Sequence, residues 1–187
     1  MKIGTKNWLR FGVMVMLVAA STTMAAAQLN SGAQPIALNA TLGESLTLSL
    51  SANAVNFTLT SGSANNAGST NITATTTWVL KPSRTAVGVY AYFAAAATAL
   101  TDGSGDNIPS SAFTIADNAG APAPLVNTVP FGGALAGLQL ANVAITNANR
   151  AGNRTDNMAY NINLTALGQL PAGTYTGTLN IQAQATP

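Results

Sequence analysis

Between Ile36 and Ala183 apolar side chains recur at every second position in short runs, and this period constrains the fold more tightly than any other feature of the chain. Leu46, Leu48 and Leu50 alternate with Thr47, Ser49 and Ser51. Val55, Phe57 and Leu59 alternate with Asn56, Thr58 and Thr60, and Ile36, Leu38, Ala40 and Leu42 with Ala37, Asn39 and Thr41. A helix would scatter these side chains around its axis, whereas a strand sets them on one face. The same reasoning predicts strands over residues 72–80, 87–95, 113–116, 138–146, 160–166 and 174–183, where β-branched and aromatic residues suit a pleated surface. Between them, residues 61–68, 101–107, 118–124 and 130–133 are rich in Gly, Asn, Asp and Pro and read as turns. About eight or nine strands at this spacing predict an all-β fold, an antiparallel two-sheet sandwich. Its expected core includes Leu48, Phe57, Trp78, Val89, Ile162, Tyr175 and Leu179.

The first 27 residues obey a different rule. Lys2, Lys6 and Arg10 precede an uncharged run from Phe11 to Ala20, and Met24-Ala-Ala-Ala27 supplies small residues for cleavage. That order is the order of a secretory signal peptide. The apolar run is about ten residues, roughly half of a bilayer span. Residues 1–27 are therefore expected to be removed, leaving a secreted chain without a membrane anchor. Residues 28–42 form an N-terminal arm and residues 43–187 a single domain. The mature chain keeps Lys81, Arg84, Arg150 and Arg154 against Glu44, Asp102, Asp106, Asp117 and Asp156, so its net charge is −1. No basic patch remains to neutralise phosphates, and nucleic-acid binding is not expected.

The chain contains neither His nor Cys. Ser–His–Asp and Cys–His catalysis and the common zinc sites are thereby excluded. One Glu and four Asp placed mostly in turns do not suggest the paired carboxyls of a glycosidase. The chain is read as a non-enzyme without cofactor or metal. Asp102-Gly-Ser-Gly-Asp106-Asn107 has the alternate oxygens of half a calcium loop, but Asn107 replaces the glycine of the bend and Phe113 the bidentate glutamate. Its residues are those of a hairpin turn. Asn39, Asn56, Asn71, Asn153 and Asn163 each open an Asn-x-Thr triplet, at about the number that composition alone yields. Arg150, Arg154 and Asp156 are expected to make salt bridges in one exposed polar loop.

Leu170-Pro-Ala-Gly-Thr-Tyr-Thr-Gly-Thr-Leu-Asn-Ile181 resembles the last strand of bacterial surface-fibre subunits of the chaperone–usher pilin superfamily, in particular its spore-coat-U-like and archaic branches. Ala54-Val-Asn-Phe57, Gly62 and residues 73–80 with Trp78 are similar to secreted bacterial sandwich domains. The resemblance implies an incomplete immunoglobulin-like sandwich, completed when the N-terminal arm of a neighbouring copy is added as a strand. It also implies a periplasmic chaperone and an outer-membrane assembly pore as partners. Ile36, Leu38, Ala40 and Leu42 would be the inserted face. The residues leave two alternatives: residues 36–42 as the first strand of the chain's own sandwich, and a monomeric secreted binding module that is carbohydrate-binding or adhesive. Trp78, Tyr90, Tyr92, Phe131, Tyr160 and Tyr175 are the aromatics that could serve the latter, and most fall in expected core strands.

Overall fold

A computed structural model describes residues 31–187. The expected signal peptide and the first residues of the arm lie outside that range. The chain divides between Thr41 and Leu42, so the described residues 31–41 belong to a first unit and Leu42–Pro187 form a second. Residues 31–41 contain no helix or strand, and all of them are exposed. The strand expected over residues 36–42 is therefore absent, because an alternating segment becomes a strand only when a neighbour accepts its backbone hydrogen bonds.

The second unit is all-β and antiparallel. Its strands are β1 (Ser45–Leu50), β2 (Asn66–Ala67), β3 (Ile72–Val79), β4 (Ala86–Tyr92), β5 (Leu100–Thr101), β6 (Asn107–Ile108), β7 (Phe113–Asp117), β8 (Ala123–Pro124), β9 (Gly137–Ala144), β10 (Ala151–Ile162) and β11 (Asn180–Thr186). Seven of these have five or more residues and carry the architecture. One sheet runs β1-β3-β10-β7-β8, with β2 also paired to β10, and the other runs β11-β4-β9. Strands β5 and β6 form a separate hairpin.

The two main sheets share one core, which makes them the two layers of a sandwich. Ile72, Ala74, Phe113, Ile115, Met158, Tyr160 and Ile162 from one sheet pack with Ala91 and Phe93 and with Leu138, Leu140 and Ile181 from the other side. Alternation explains which residues do so. In β3, Ile72, Ala74, Thr76 and Trp78 are buried, while the residues between them are not. A second cluster of Trp78, Leu80, Val87 and Ile145 takes in Leu46 from β1 and Ala185 from β11. Those two strands are sheet edges, so this cluster closes one end of the sandwich.

Three expected strands are displaced. Residues 55–59 make only an isolated bridge, between Phe57 and Gly68. The strand expected at 160–166 spans Ala151–Ile162 instead, and the one expected at 174–183 begins at Asn180. The shift of β10 overturns the polar-loop reading of Arg154 and Asp156. Both lie on β10, a central strand, and pair with Thr76 and Ala74 of β3, while β7 pairs further along from Met158 to Ile162. Asp156 is fully buried, and its Oδ1 accepts from Arg154 Nε at 2.6 Å and from Asn118 Nδ2 at 3.3 Å. Arg154 Nη2 also reaches Asp117 Oδ2 at 3.5 Å. Burial, and then repulsion from Asp156, hold the Asp117 carboxyl above the usual range. A charge-bearing sequence on a strand interior reads as loop when its partners lie 37 residues away.

Candidate functional site

Four of the seven expected core residues, Leu48, Phe57, Tyr175 and Leu179, are only half-buried. Three of these, Phe57, Tyr175 and Leu179, line one groove. It opens where the edge strands stop: β1 ends at Leu50 and β11 starts at Asn180, and both Leu50 and Leu179 are part of its lining. The volume is about 810 Å³. Its lining mixes apolar side chains with Asn53, Asn56, Ser61, Thr174, Thr176 and Thr178.

The floor is core. Phe113 sits at the centre, with ring centroids 5.6 Å from Phe57, 5.3 Å from Phe93 and 6.0 Å from Tyr160. The first two pairs are edge-to-face, the geometry favoured by the ring quadrupoles. Ile72 and Ile162 continue the floor on β3 and β10. The Tyr160 hydroxyl donates to Met158 Sδ at 3.7 Å, and burial pushes its pKa up to about 12.

The two rims are alternating segments without a strand partner along the groove. Residues 52–59 are held to the six-stranded sheet by Ser69 N–H donating to the Asn56 carbonyl at 2.8 Å and by Asn56 N–H donating to Ser69 Oγ at 3.1 Å. Residues 170–179 are held by a reciprocal pair of bonds between Thr101 and Thr176, both 2.9 Å. That pair is the only backbone–backbone pairing along residues 170–179 among the described residues. The Tyr175 hydroxyl donates to the Pro171 carbonyl at 3.0 Å and ties the Pro-Ala-Gly turn to its own strand-like segment. Backbone groups left free beside an apolar trough are a template for one more strand.

The four residues singled out as an inserted face are all exposed, Ile36 at 83%, Leu38 at 90% and Leu42 at 85%, with Ala40 beside them. Scattered exposed apolar residues are ordinary, but three large ones in seven positions, all on one face of a period-two segment, are not. At the foot of this segment Glu44 is fixed. Its Oε1 accepts from Arg84 Nε and from the Lys81 backbone N–H, each at 3.1 Å, and these bonds hold its carboxyl down to about 2.

The Asp102–Asp106 turn joins β5 to β6. Asp102 Oδ1 accepts from the backbone N–H of Ser104 at 2.8 Å and of Asp106 at 3.1 Å, so this carboxylate shapes the hairpin. No helix among the described residues is long and apolar enough to cross a membrane. No family model, curated protein or solved structure matches the chain.

Proposed function

We propose that this chain is a secreted structural subunit of an extracellular bacterial filament, assembled by β-strand addition between copies. The groove of one copy receives residues 36–42 of the next, with Ile36, Leu38, Ala40 and Leu42 directed into it. The carrying observation is the apolar groove of about 810 Å³ bordered by two strand-like rims. Supporting it is the alternating segment whose large apolar side chains are exposed in the isolated chain. Groove and segment have complementary needs: the first lacks a strand, and the second lacks a sheet.

A strand seated between the rims gains main-chain hydrogen bonds from both and places every second side chain on the Phe113 floor. Burying a Leu or Ile side chain contributes about 1.5–3 kcal/mol, so three of them supply roughly 5–9 kcal/mol. Main-chain hydrogen bonds add about 0.5–1.5 kcal/mol each. Those gains offset the roughly 4–15 kcal/mol cost of fixing one copy on another. Each subunit donates one strand and accepts one, so the contact is head-to-tail, the kind that extends into a filament when the rotation between copies does not close a ring.

The test uses the chain starting at Gln28, examined by size-exclusion chromatography and negative-stain electron microscopy, beside a chain starting at Gly43. The longer chain forms filaments; the shorter one does not, but binds a labelled peptide of residues 28–42. A longer chain that remains a folded monomer, together with a shorter one that binds no peptide, refutes the assignment.

A further inference from the structure

The outer face of the three-stranded sheet has a composition unlike the rest of the surface. In β4, Val87, Val89 and Ala91 are fully buried against the core, so Gly88, Tyr90 and Tyr92 point the other way. The sequence pattern alone placed both tyrosines in an expected core strand. Phe131, from the turn before β9, meets them outside the core, with centroids 5.9 Å from Tyr90 and 5.8 Å from Tyr92. All three rings are half-buried and form one patch.

Amides flank the rings on both neighbouring strands. Gln182 of β11 stands opposite Tyr90 in register, and its Oε1 accepts from the Tyr92 hydroxyl at 2.8 Å. Gln139 of β9 is also opposite Tyr90 and donates to its hydroxyl at 3.5 Å. The next outward positions, Asn180, Gln184 and Asn142, are amides as well. Strands β11, β4 and β9 contain no charged residue.

Gly88 sets the pose of the central ring. A Cβ at this position would lie 2.7 Å from Tyr90 Cε2 and Cζ. The Tyr90 ring is therefore folded along the strand over the glycine, where it stays half-buried beside Phe131.

The geometry points to a binding site for an uncharged polysaccharide of β-1,4-linked, gluco-configured rings on this face, centred on Tyr90, Tyr92 and Phe131. Such rings carry their substituents equatorially and present axial C–H groups above and below. Those polarised hydrogens pack on the negative face of an aromatic ring. Tyrosine supplies this contact area at low conformational cost. Flanking amides offer both donors and acceptors, which matches hydroxyl groups that do both. The absence of charge selects the ligand class: a carboxylated or sulfated glycan would lose hydration without meeting a cation. This site lies on the opposite face of the sheet from the core and does not depend on the strand-addition reading.

The test is native affinity electrophoresis of the chain starting at Gln28 carrying Leu38→Asp, which keeps the protein unpolymerised under the strand-addition reading. Gels contain hydroxyethylcellulose, glycol chitin or alginate. At least one of the two neutral polymers retards the protein and alginate does not. Tyr90→Ala and Phe131→Ala weaken that retardation by tenfold or more. Gly88→Ala, which keeps every ring and amide but lifts Tyr90, weakens it as well. Gln182→Ala serves where an aromatic variant fails to fold, folding being judged by near-ultraviolet circular dichroism. Unchanged mobility in both neutral polymers, retardation by alginate alone, or folded aromatic variants retarded as strongly as the parent would each overturn the assignment.

Discussion

Changing Leu38 to Asp and changing its neighbour Asn39 to Asp place the same charge one residue apart, and strand addition predicts opposite outcomes. Leu38 is 90% exposed in the isolated chain, so nearly all of its apolar surface is available to be buried. Losing that burial removes about 1.5–3 kcal/mol. Placing a carboxylate among Phe57, Phe113 and Ile162 adds a desolvation penalty of several kcal/mol, as no cation among the described residues lines the groove. Together they exceed about 4 kcal/mol, or roughly a thousandfold in affinity. Asn39 alternates to the opposite face of the same strand and stays in water, so Asn39→Asp costs about 0.5 kcal/mol or less. The assay is fluorescence anisotropy of labelled 28–42 peptides titrated with the chain that starts at Gly43. The parent and Asn39→Asp peptides bind within about threefold of each other, while the Leu38→Asp peptide shows no saturable binding. Equal weakening by both substitutions would refute an alternating, groove-facing strand, since only a contact indifferent to face responds equally to both.

Trp78 is 3% exposed and its indole N–H donates to the Asn149 carbonyl at 2.9 Å, so Trp78→Ala lowers stability by about 3–5 kcal/mol in denaturant melts. Phe57 is half-buried on the open rim; Phe57→Ala costs about half as much in the free subunit and more once the 28–42 peptide is bound, read from the same melts with and without peptide. The Tyr160 phenol ionises near 10 in the unfolded chain and near 12 when folded, so the unfolded state loses its proton first. Stability therefore falls as pH rises from about 10 to about 12, by roughly 2–3 kcal/mol, and Tyr160→Phe removes that part of the decline in alkaline urea titrations. The Glu44 carboxyl is held near 2 against an ordinary value of 4.5, so its contribution is present above 4.5 and is lost as pH falls toward 2. Glu44→Gln flattens that acid limb in thermal melts across the same window.

Where a strand found a partner inside the chain, the alternation was legible. Ser45–Leu50, Ile72–Val79, Phe113–Asp117 and Gly137–Ala144 each fall within a residue or two of expectation. Trp78, Val89 and Ile162 are buried as their positions on alternating faces required. Residues 150–156 were illegible because charge normally marks solvent. The donors that make a buried Asp156 tenable are Arg154, two residues away and half-buried, and Asn118, which comes from the turn after β7. Tyr90 and Tyr92 alternate with Val89, whose place in the expected core puts both tyrosines on the outer face of β4.

The sequence by itself determined that this chain is all-β, because a period of two over many short segments sets the apolar side chains on one face of a strand. It also determined which residues of 36–42 share a face, since that follows from parity alone. The tertiary structure decided which alternating segments become strands. Residues 36–42, 55–59 and 174–179 carry the same pattern as β1 and β3, yet none is paired as a strand. Strand formation depends on a second backbone to accept its hydrogen bonds, and a pattern within one segment holds no information about whether that backbone exists. The groove lies between two such segments, residues 52–59 and 170–179, and so it could be found only by assembling the rest of the sandwich around it.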